Sequence, residues 1–476
     1  MIIERMLVVL YLAACIGIGV LASRKVLASR DEYWVAGRRI GTGVNAMAIM
    51  AALASGGSII GVMGLAYGRG IPFTLSLFAG AVVGFPLASI LVARPLRNFG
   101  KFTITDFLAF RFPHPVVRYT VPLLIVVSFT VYIVAQMKAA GITAEVLLGI
   151  PYTQAVTLAA LVFILYVSIG GMLAVTWTDV VQGVLMLAVV LGIALLIMVR
   201  LGSPVTLLEQ ATVEAPALGE VLNQPFSSFL GSFVIWAAAI PVIPHIVMRV
   251  FSAKDAHGAR LSLNIAMVVY SVMILAAVMV IVPLGTMQFP GLQDADTVFL
   301  RVMEQEFPPV LRGFAVAAVI AAVMSTTDAL LLACSSAIAH DLLGPVLRKT
   351  VSAKAEGWIT VGVAWAVGLL AMYLAYAPPP LLTEFYSAAI GLLSAGLFVP
   401  TIAGLWWKKA NLAGGIAAMV VGALVYLAVQ FMPGTPPLSA ILFALPASTL
   451  ALWLFSRFGK PVAAEITQTL SGLHEK

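Results

Sequence analysis

Apolar residues come in blocks of about twenty along this chain, cut by short polar stretches, and strand-like alternation is missing. A helix of that length crosses the roughly 30 Å hydrocarbon core of a bilayer. Only helices satisfy every backbone group internally in blocks of this kind, so the pattern predicts an all-α polytopic membrane protein. Thirteen spans are read, at about 6–22, 43–66, 73–93, 117–140, 154–174, 178–200, 226–250, 260–285, 311–340, 357–377, 381–406, 412–431 and 438–456. No loop between them is long enough for a separate domain, so residues 1–476 read as one transmembrane unit.

Two blocks carry their own interruptions. Span 2 contains A-A-L-A-S-G-G-S-I-I-G, Ala51 to Gly61. The pair Gly56-Gly57 weakens a helix interior by about 1 kcal/mol per glycine. Span 7 contains W-A-A-A-I-P-V-I-P-H, in which Pro241 and Pro244 remove backbone donors. Irregular backbone survives at membrane depth only where it lines a cavity or binds something. Interrupted helices five spans apart run in opposite directions, the pattern of a transporter built from inverted repeats with its site at the break. The simpler reading is that the glycines permit close packing and the prolines only kink.

Span 9 is apolar except for Ser325, Thr326, Thr327 and Asp328 near its middle. Hydroxyls and a carboxylate are costly there and mark a functional site by default. Ser325 and Thr326 offer two oxygens, and Ala322, one turn earlier, a carbonyl. The unwound part of span 2 frees carbonyls at Ala51 and Ala54. Five oxygens and no soft ligand suit a hard monovalent cation, Na+. The competing reading has the hydroxyls bonding back to their own helix or to a neighbour.

Composition and charge narrow the function. Charged residues make up 10% of the chain, against about 25% in soluble domains. The net charge of +7 is a topology signal. Arg24, Lys25, Arg30, Arg38 and Arg39 follow span 1, and Arg94, Arg97, Lys101, Arg111 and Arg118 follow span 3. Arg249, Lys254 and Arg260 follow span 7, Arg348, Lys349 and Lys354 follow span 9, and Lys408 and Lys409 follow span 11. Arg457, Lys460 and Lys476 lie in the tail. All fall on one side of an alternating topology, which the positive-inside rule makes cytoplasmic. The N-terminus is then outside and the C-terminus inside, in a multi-pass protein of the inner (plasma) membrane. No nucleic-acid partner and no obligate protein partner is expected. Cys15 and Cys334 lie in apolar blocks and give no disulfide framework. No catalytic triad, P-loop or metal-ligand spacing stands out, so the chain does not read as an enzyme.

The motifs D-E-Y-W-V-A-G-R-R after span 1, A-S-G-G-S-I-I-G-V-M-G in span 2, Y-V-S-I-G-G-M-L-A-V-T-W-T-D-V-V-Q around Asp179, P-H-I-V-M-R in span 7 and A-A-V-M-S-T-T-D with C-S-S-A-I-A-H-D-L in span 9 together resemble the sodium:solute symporter family over nearly the whole length. The resemblance implies a leucine-transporter-like inverted-repeat fold. Residues 43–200 would be the first five-helix repeat and 226–406 the inverted second, with 1–30 and 412–456 as peripheral helices. It also implies a Na+ site at Ala51, Ala54, Ala322, Ser325 and Thr326. Asp179 and Asp328 become candidates for a second cation site or exit path. The substrate is expected beside the breaks, near Ser55, Gly57, Ser58, Gln136, Trp236 and Pro241.

Within the family, L-R-N-F-G-K-F-T-I-T-D-F-L-A-F-R, A-Q-M-K-A-A-G and L-Y-V-S-I-G-G-M-L-A-V-T-W are similar to acetate and other monocarboxylate permeases, and Pro244-His245 with Y-A-P-P to pantothenate carriers. Proline carriers share Pro-His, but have an aspartate where this chain has Leu53. The expected function is sodium-coupled symport of a small organic anion, with an amino acid of the proline type, or proton coupling through Asp328 or Asp179, as alternatives. Lys138 is expected to snorkel to the outer interface and Arg249 to anchor the inner one, while Asp179 either caps a helix start or serves that cation path.

Overall fold

The computed structural model describes residues 2–23, 34–344 and 353–474. Arg24, Lys25, Arg30, Arg348, Lys349, Lys476 and the first three residues of the D-E-Y-W motif lie outside that set. Among the described residues no strand forms; one parallel bridge pairs Ile40 with Ala253.

The helices are α1 (Ile2–Ser23), α2 (Thr42–Leu53), α3 (Val62–Arg69), α4 (Ile71–Phe99), α5 (Ile104–Arg111), α6 (Pro115–Leu148), α7 (Tyr152–Leu201), α8 (Pro204–Glu214) and α9 (Phe226–Ala239). They continue as α10 (Pro244–Ser252), α11 (Ala256–Gln288), α12 (Val298–Glu306), α13 (Pro309–Leu342), α14 (Ala353–Ala375), α15 (Leu382–Trp406), α16 (Leu412–Gln430), α17 (Ile441–Phe458) and α18 (Ala464–His474). Among the described residues ten helices are long and apolar enough to cross a membrane, or eleven with α2 and α3 as one bent span. The two other expected spans fall on α1 and on Tyr152–Ser168, which are helical but outside that count.

The expected loop between spans 5 and 6 lies within one helix of 50 residues, α7. It is not straight. The Tyr166 hydroxyl donates to Thr178 Oγ1 at 2.6 Å, whereas twelve residues of straight helix cover about 18 Å. The chain therefore doubles back between them.

Two interruptions fall where the sequence expects them. α2 stops at Leu53, and the chain re-enters helix through a wide π-type turn, Gly57–Gly61, bent by 59°. α9 stops at Ala239 and α10 starts at Pro244. Between them runs α13, whose most apolar stretch is wholly buried. It packs against α6, α7 and α1, and also touches α2. A helix buried all round is apolar all round, so its hydroxyls and Asp328 are the exceptions to be explained.

One charged residue departs from expectation here. Lys138 does not snorkel; its side chain is 3% exposed and its ammonium donates to Asp296 Oδ2 at 2.8 Å and to the carbonyls of Pro379 and Pro380 at 2.9 and 2.8 Å. Asp296 Oδ2 also accepts the Leu382 amide at 3.0 Å. This network ties α6 to the loops before α12 and α15. Gly64 of α3 sits so close that a Cβ there would meet Asp296 Oδ1 at 2.4 Å. Arg69 and Glu384 add a partly buried pair at 2.8 Å.

Burial pushes the Asp296 carboxyl up to about 6, against the pull of Lys138. Its value in the unfolded chain is about 3.9. The folded protein therefore holds this proton more tightly, and the resulting stability declines as pH rises from about 4 to 6. Asp296→Asn should remove that step. Above pH 6 the variant should be at least as stable as the native protein, because Asn avoids burying a charge and Asp294 Oδ2 still lies 3.7 Å from the Lys138 ammonium. Melting midpoints of both proteins across pH 4 to 8 check this, and parallel curves would contradict it.

Candidate functional site

The break in span 2 can be followed bond by bond. In an unbroken helix Ser55, Gly56 and Ser58 would donate to the carbonyls of Ala51, Ala52 and Ala54. Instead the Ser55 amide turns to Leu53 O at 2.8 Å. The Gly56 amide donates to Gln136 Oε1 on α6 at 3.0 Å. The Ser58 amide bonds Ser55, at 2.9 Å to its carbonyl and 3.0 Å to its hydroxyl. Three neighbouring carbonyls are thus left without their amides in a dry interior, where each needs a new partner.

α13 supplies partners for two. Ser325 Oγ lies 2.9 Å from Ala51 O and 3.1 Å from Ala322 O, and Thr326 Oγ1 lies 3.0 Å from Ala52 O. Gly56 permits the approach, since a Cβ there would meet Val323 and Ala139 at 2.6 and 2.7 Å. Ala322 O also accepts the Thr326 amide within the continuous helix, whereas Ala51 O, freed by the break, has the Ser325 hydroxyl as its partner. Oxygens about 3 Å apart fit the edges of a shell with metal–oxygen distances of about 2.4 Å. Thr326 points one residue further along than the sequence suggests, to Ala52, which sequence reasoning missed. Ala54 O has lost the Ser58 amide but makes no hydrogen bond with Ser325 or Thr326.

The second break lines the same region. Pro241 has no amide for Ala237 O, and Pro244 none for Ile240 O. The Val242 amide bonds Ala239 O at 2.9 Å and leaves Ala238 O. Trp236, in the last turn of α9, donates through Nε1 to Ser387 Oγ at 3.1 Å. Tyr386 stacks on Tyr132 with ring centroids 4.5 Å apart and meets Trp236 edge-on at 5.9 Å. The Tyr132 hydroxyl donates to Ser55 Oγ at 3.3 Å, and Ser58 Oγ lies 3.2 Å from the Tyr270 hydroxyl. Gly57 faces the Tyr386 ring closely enough that a Cβ would sit 2.4 Å away. Gln136 Nε2 is buried without a partner. Ser55, Gly57, Ser58, Gln136 and Trp236 therefore converge, and Pro241 lies in the adjoining break. Tyr270, Tyr386 and Ser387 were not singled out from the sequence; aromatics on two further spans carry no local signal of convergence.

Asp179 is not a helix cap. It lies inside α7 and pairs with Arg249, both wholly buried. Arg249 also donates to Thr176 Oγ1, so it braces α7 against α10 instead of anchoring an interface. Asp328 is wholly buried, and neither carboxylate oxygen has a hydrogen-bond partner. A bare charge there is costly, so the site calls for a proton or a cation.

The sodium:solute symporter family model matches residues 33–422. The chain belongs to the sodium:solute symporter family. It is 29% identical over 472 residues to the sodium/proline symporter of Escherichia coli, covering 95% of this chain and 93% of that protein. It is 28% identical over 425 residues to the uncharacterized symporter YwcA of Bacillus subtilis, covering 84% and 81%. With the osmoregulated proline transporter OpuE of the same organism it shares 27% over 428 residues, covering 88% and 87%. Among solved structures, a Na+-coupled sialic acid symporter superposes with a TM-score of 0.82 over 97% of this chain and 98% of that one, at 17% identity. MHP1, a nucleobase-cation-symport-1 family transporter, gives 0.56 over 94% and 100%, at 16% identity. These neighbours have the leucine-transporter-like fold, and this chain shares it. The chain is a multi-pass plasma-membrane transporter, and the family is one of carriers, not enzymes.

Proposed function

We propose that this protein imports a small organic solute by coupling it to Na+, bound between the broken span 2 and α13. The observation that carries the reading is that Ala51 O, freed by the break in span 2, meets Ser325 Oγ at 2.9 Å with Ala322 O 3.1 Å from the same hydroxyl. The carbonyls of Ala51 and Ala54, the carbonyl of Ala322 and the hydroxyls of Ser325 and Thr326 would coordinate the ion, with Ala52 O close by. Residues 43–200 and 226–406 act as inverted halves, with the N-terminus outside and the C-terminus inside. Na+ from outside joins them and completes the solute site at Ser55, Gly57, Ser58, Gln136, Trp236 and Pro241. A membrane potential of 100 mV supplies about 2.3 kcal/mol per charge. Where Na+ is scarce, the tie between α2 and α13 loosens and both leave. Asp179 and Asp328 form a second cation position or an exit step beyond Ser325.

For the solute we favour an amino acid of the proline class over the monocarboxylate that local motifs suggest, because relatives with a named solute carry proline. Its carboxylate would meet the helix start at Pro244, and its ring the Trp236, Tyr386 and Tyr132 faces. A monocarboxylate is the second reading on one observation: Leu53, buried and apolar, stands where proline carriers have an aspartate. Proteoliposome uptake of labelled proline, acetate, pyruvate and pantothenate, with and without a sodium gradient, separates the two. The reading predicts Na+-driven uptake with proline preferred. Uptake that follows pH and ignores Na+ would overturn the coupling.

A further inference from the structure

α5 opens with a capping box. The Thr103 hydroxyl accepts the Asp106 amide at 3.0 Å, and Asp106 Oδ2 accepts the amides of Phe102 and Thr103 at 3.2 and 3.3 Å. That carboxylate is fixed by local backbone. The last turns of α13 widen into a π-type helix, Ser336–Leu342, and carry His340 and Asp341 to the same place. His340 Nε2 lies 3.3 Å from Asp106 Oδ2 and 3.9 Å from Asp341 Oδ1. One ligand atom from each of the three residues lies within 4.8 Å of the other two. The His340 and Asp341 side chains are 2% and 1% exposed. Asp341 Oδ1 accepts the Thr103 hydroxyl at 2.9 Å, while Oδ2 is buried without a hydrogen-bond partner. A cavity of about 230 Å³, lined in part by Thr105, Phe110 and Arg118, opens onto the cluster.

The chemistry is that of a metal centre. Two carboxylates and a protonated imidazole sum to −1. With a neutral imidazole and a divalent cation the sum is zero, which is what burial favours. Zinc-class ions take His nitrogen and Asp oxygen at about 2.0–2.2 Å, and tetrahedral geometry at that radius sets ligands about 3.3 Å apart. Imidazole disfavours Mg2+ and Na+. The Thr103 hydroxyl and the Phe102 and Thr103 amides hold the carboxylates as outer partners of metal ligands do. The cavity leaves a fourth position open.

We propose that Asp106, His340 and Asp341 bind one divalent transition-metal ion of the zinc class, which clamps α5 to the end of α13. The site is separate from the proposed Na+ position and needs neither Na+ nor solute, so its test does not depend on the transport reading. Purified full-length protein, stripped with chelator in Na+-free buffer, is titrated with Co2+ alone. The expected result is one Co2+ per chain with visible absorption bands, displaced by Zn2+ and not by excess Mg2+. His340→Ala and Asp341→Asn should each weaken binding at least tenfold, and Zn2+ should raise the melting midpoint of the native protein but not of His340→Ala. Asp341→Asn serves if His340→Ala does not fold. A native protein that binds no Co2+, or binding unchanged in both variants, overturns the proposal.

Discussion

Replacing Arg249 with methionine should cost about 3–5 kcal/mol of stability and abolish transport. Arg249 is the cation paired with Asp179, and both are buried. The change leaves Asp179 without a counter-charge in a bundle that already holds an unpartnered Asp328. Breaking a buried pair from one side is costly because the survivor stays desolvated, whereas removing both charges together is far milder. The double variant Arg249→Met with Asp179→Asn should therefore recover much of the lost melting midpoint. It should not recover transport if Asp179 serves the cation path. Arg249→Lys should fall between, since an ammonium cannot reach Asp179 and Thr176 together as the guanidinium does. Melting curves of the four proteins in detergent decide the matter; an Arg249→Met protein as stable as the native one would contradict it.

Ser325→Ala should raise the Na+ concentration for half-maximal uptake at least tenfold, and Thr326→Ala somewhat less. A tenfold change is about 1.4 kcal/mol, the scale of one lost polar contact in a dry site. The ranking follows from the contacts: Ser325 faces two carbonyls, Thr326 one. Thr327 is the control. Its hydroxyl is equally buried on the next position of the same helix and has no partner, so Thr327→Ala should leave the Na+ requirement within about twofold. Equal Na+ dependence in all three variants would remove Ser325 and Thr326 from the ion's shell.

Much of this site is legible from local sequence because its cause is local. S-G-G-S and P-V-I-P break helices by themselves, and hydroxyls in a wholly apolar helix stand out against the cost of burying them. The orphaned carbonyls follow from the break, although the one that Thr326 meets, Ala52, depends on how far the chain turns at Leu53. The charged pairs are different. Lys138 and Asp296, or Asp179 and Arg249, lie far apart in the chain, and no periodicity links them. A clue was present for Lys138: it sits in A-Q-M-K-A-A-G, small residues that let helices approach, without the aromatic belt of a snorkelling lysine. The Asp106, His340 and Asp341 cluster has no spacing signature because α5 and the end of α13 meet only in the folded bundle. The solute is the hardest to read, since the cage proposed for it draws single aromatics from separate helices.

The central claim is that one ion bridges the broken stretch at 51–58 and the turn at 322–326. Hydrogen exchange of the purified protein, followed by mass spectrometry in Na+ and in K+ at equal ionic strength and without solute, tests it directly. The account predicts slower exchange in Na+ for peptides covering both segments, and for neither in Ser325→Ala. Identical exchange in the two salts, or Na+ protection confined to other spans, would contradict it.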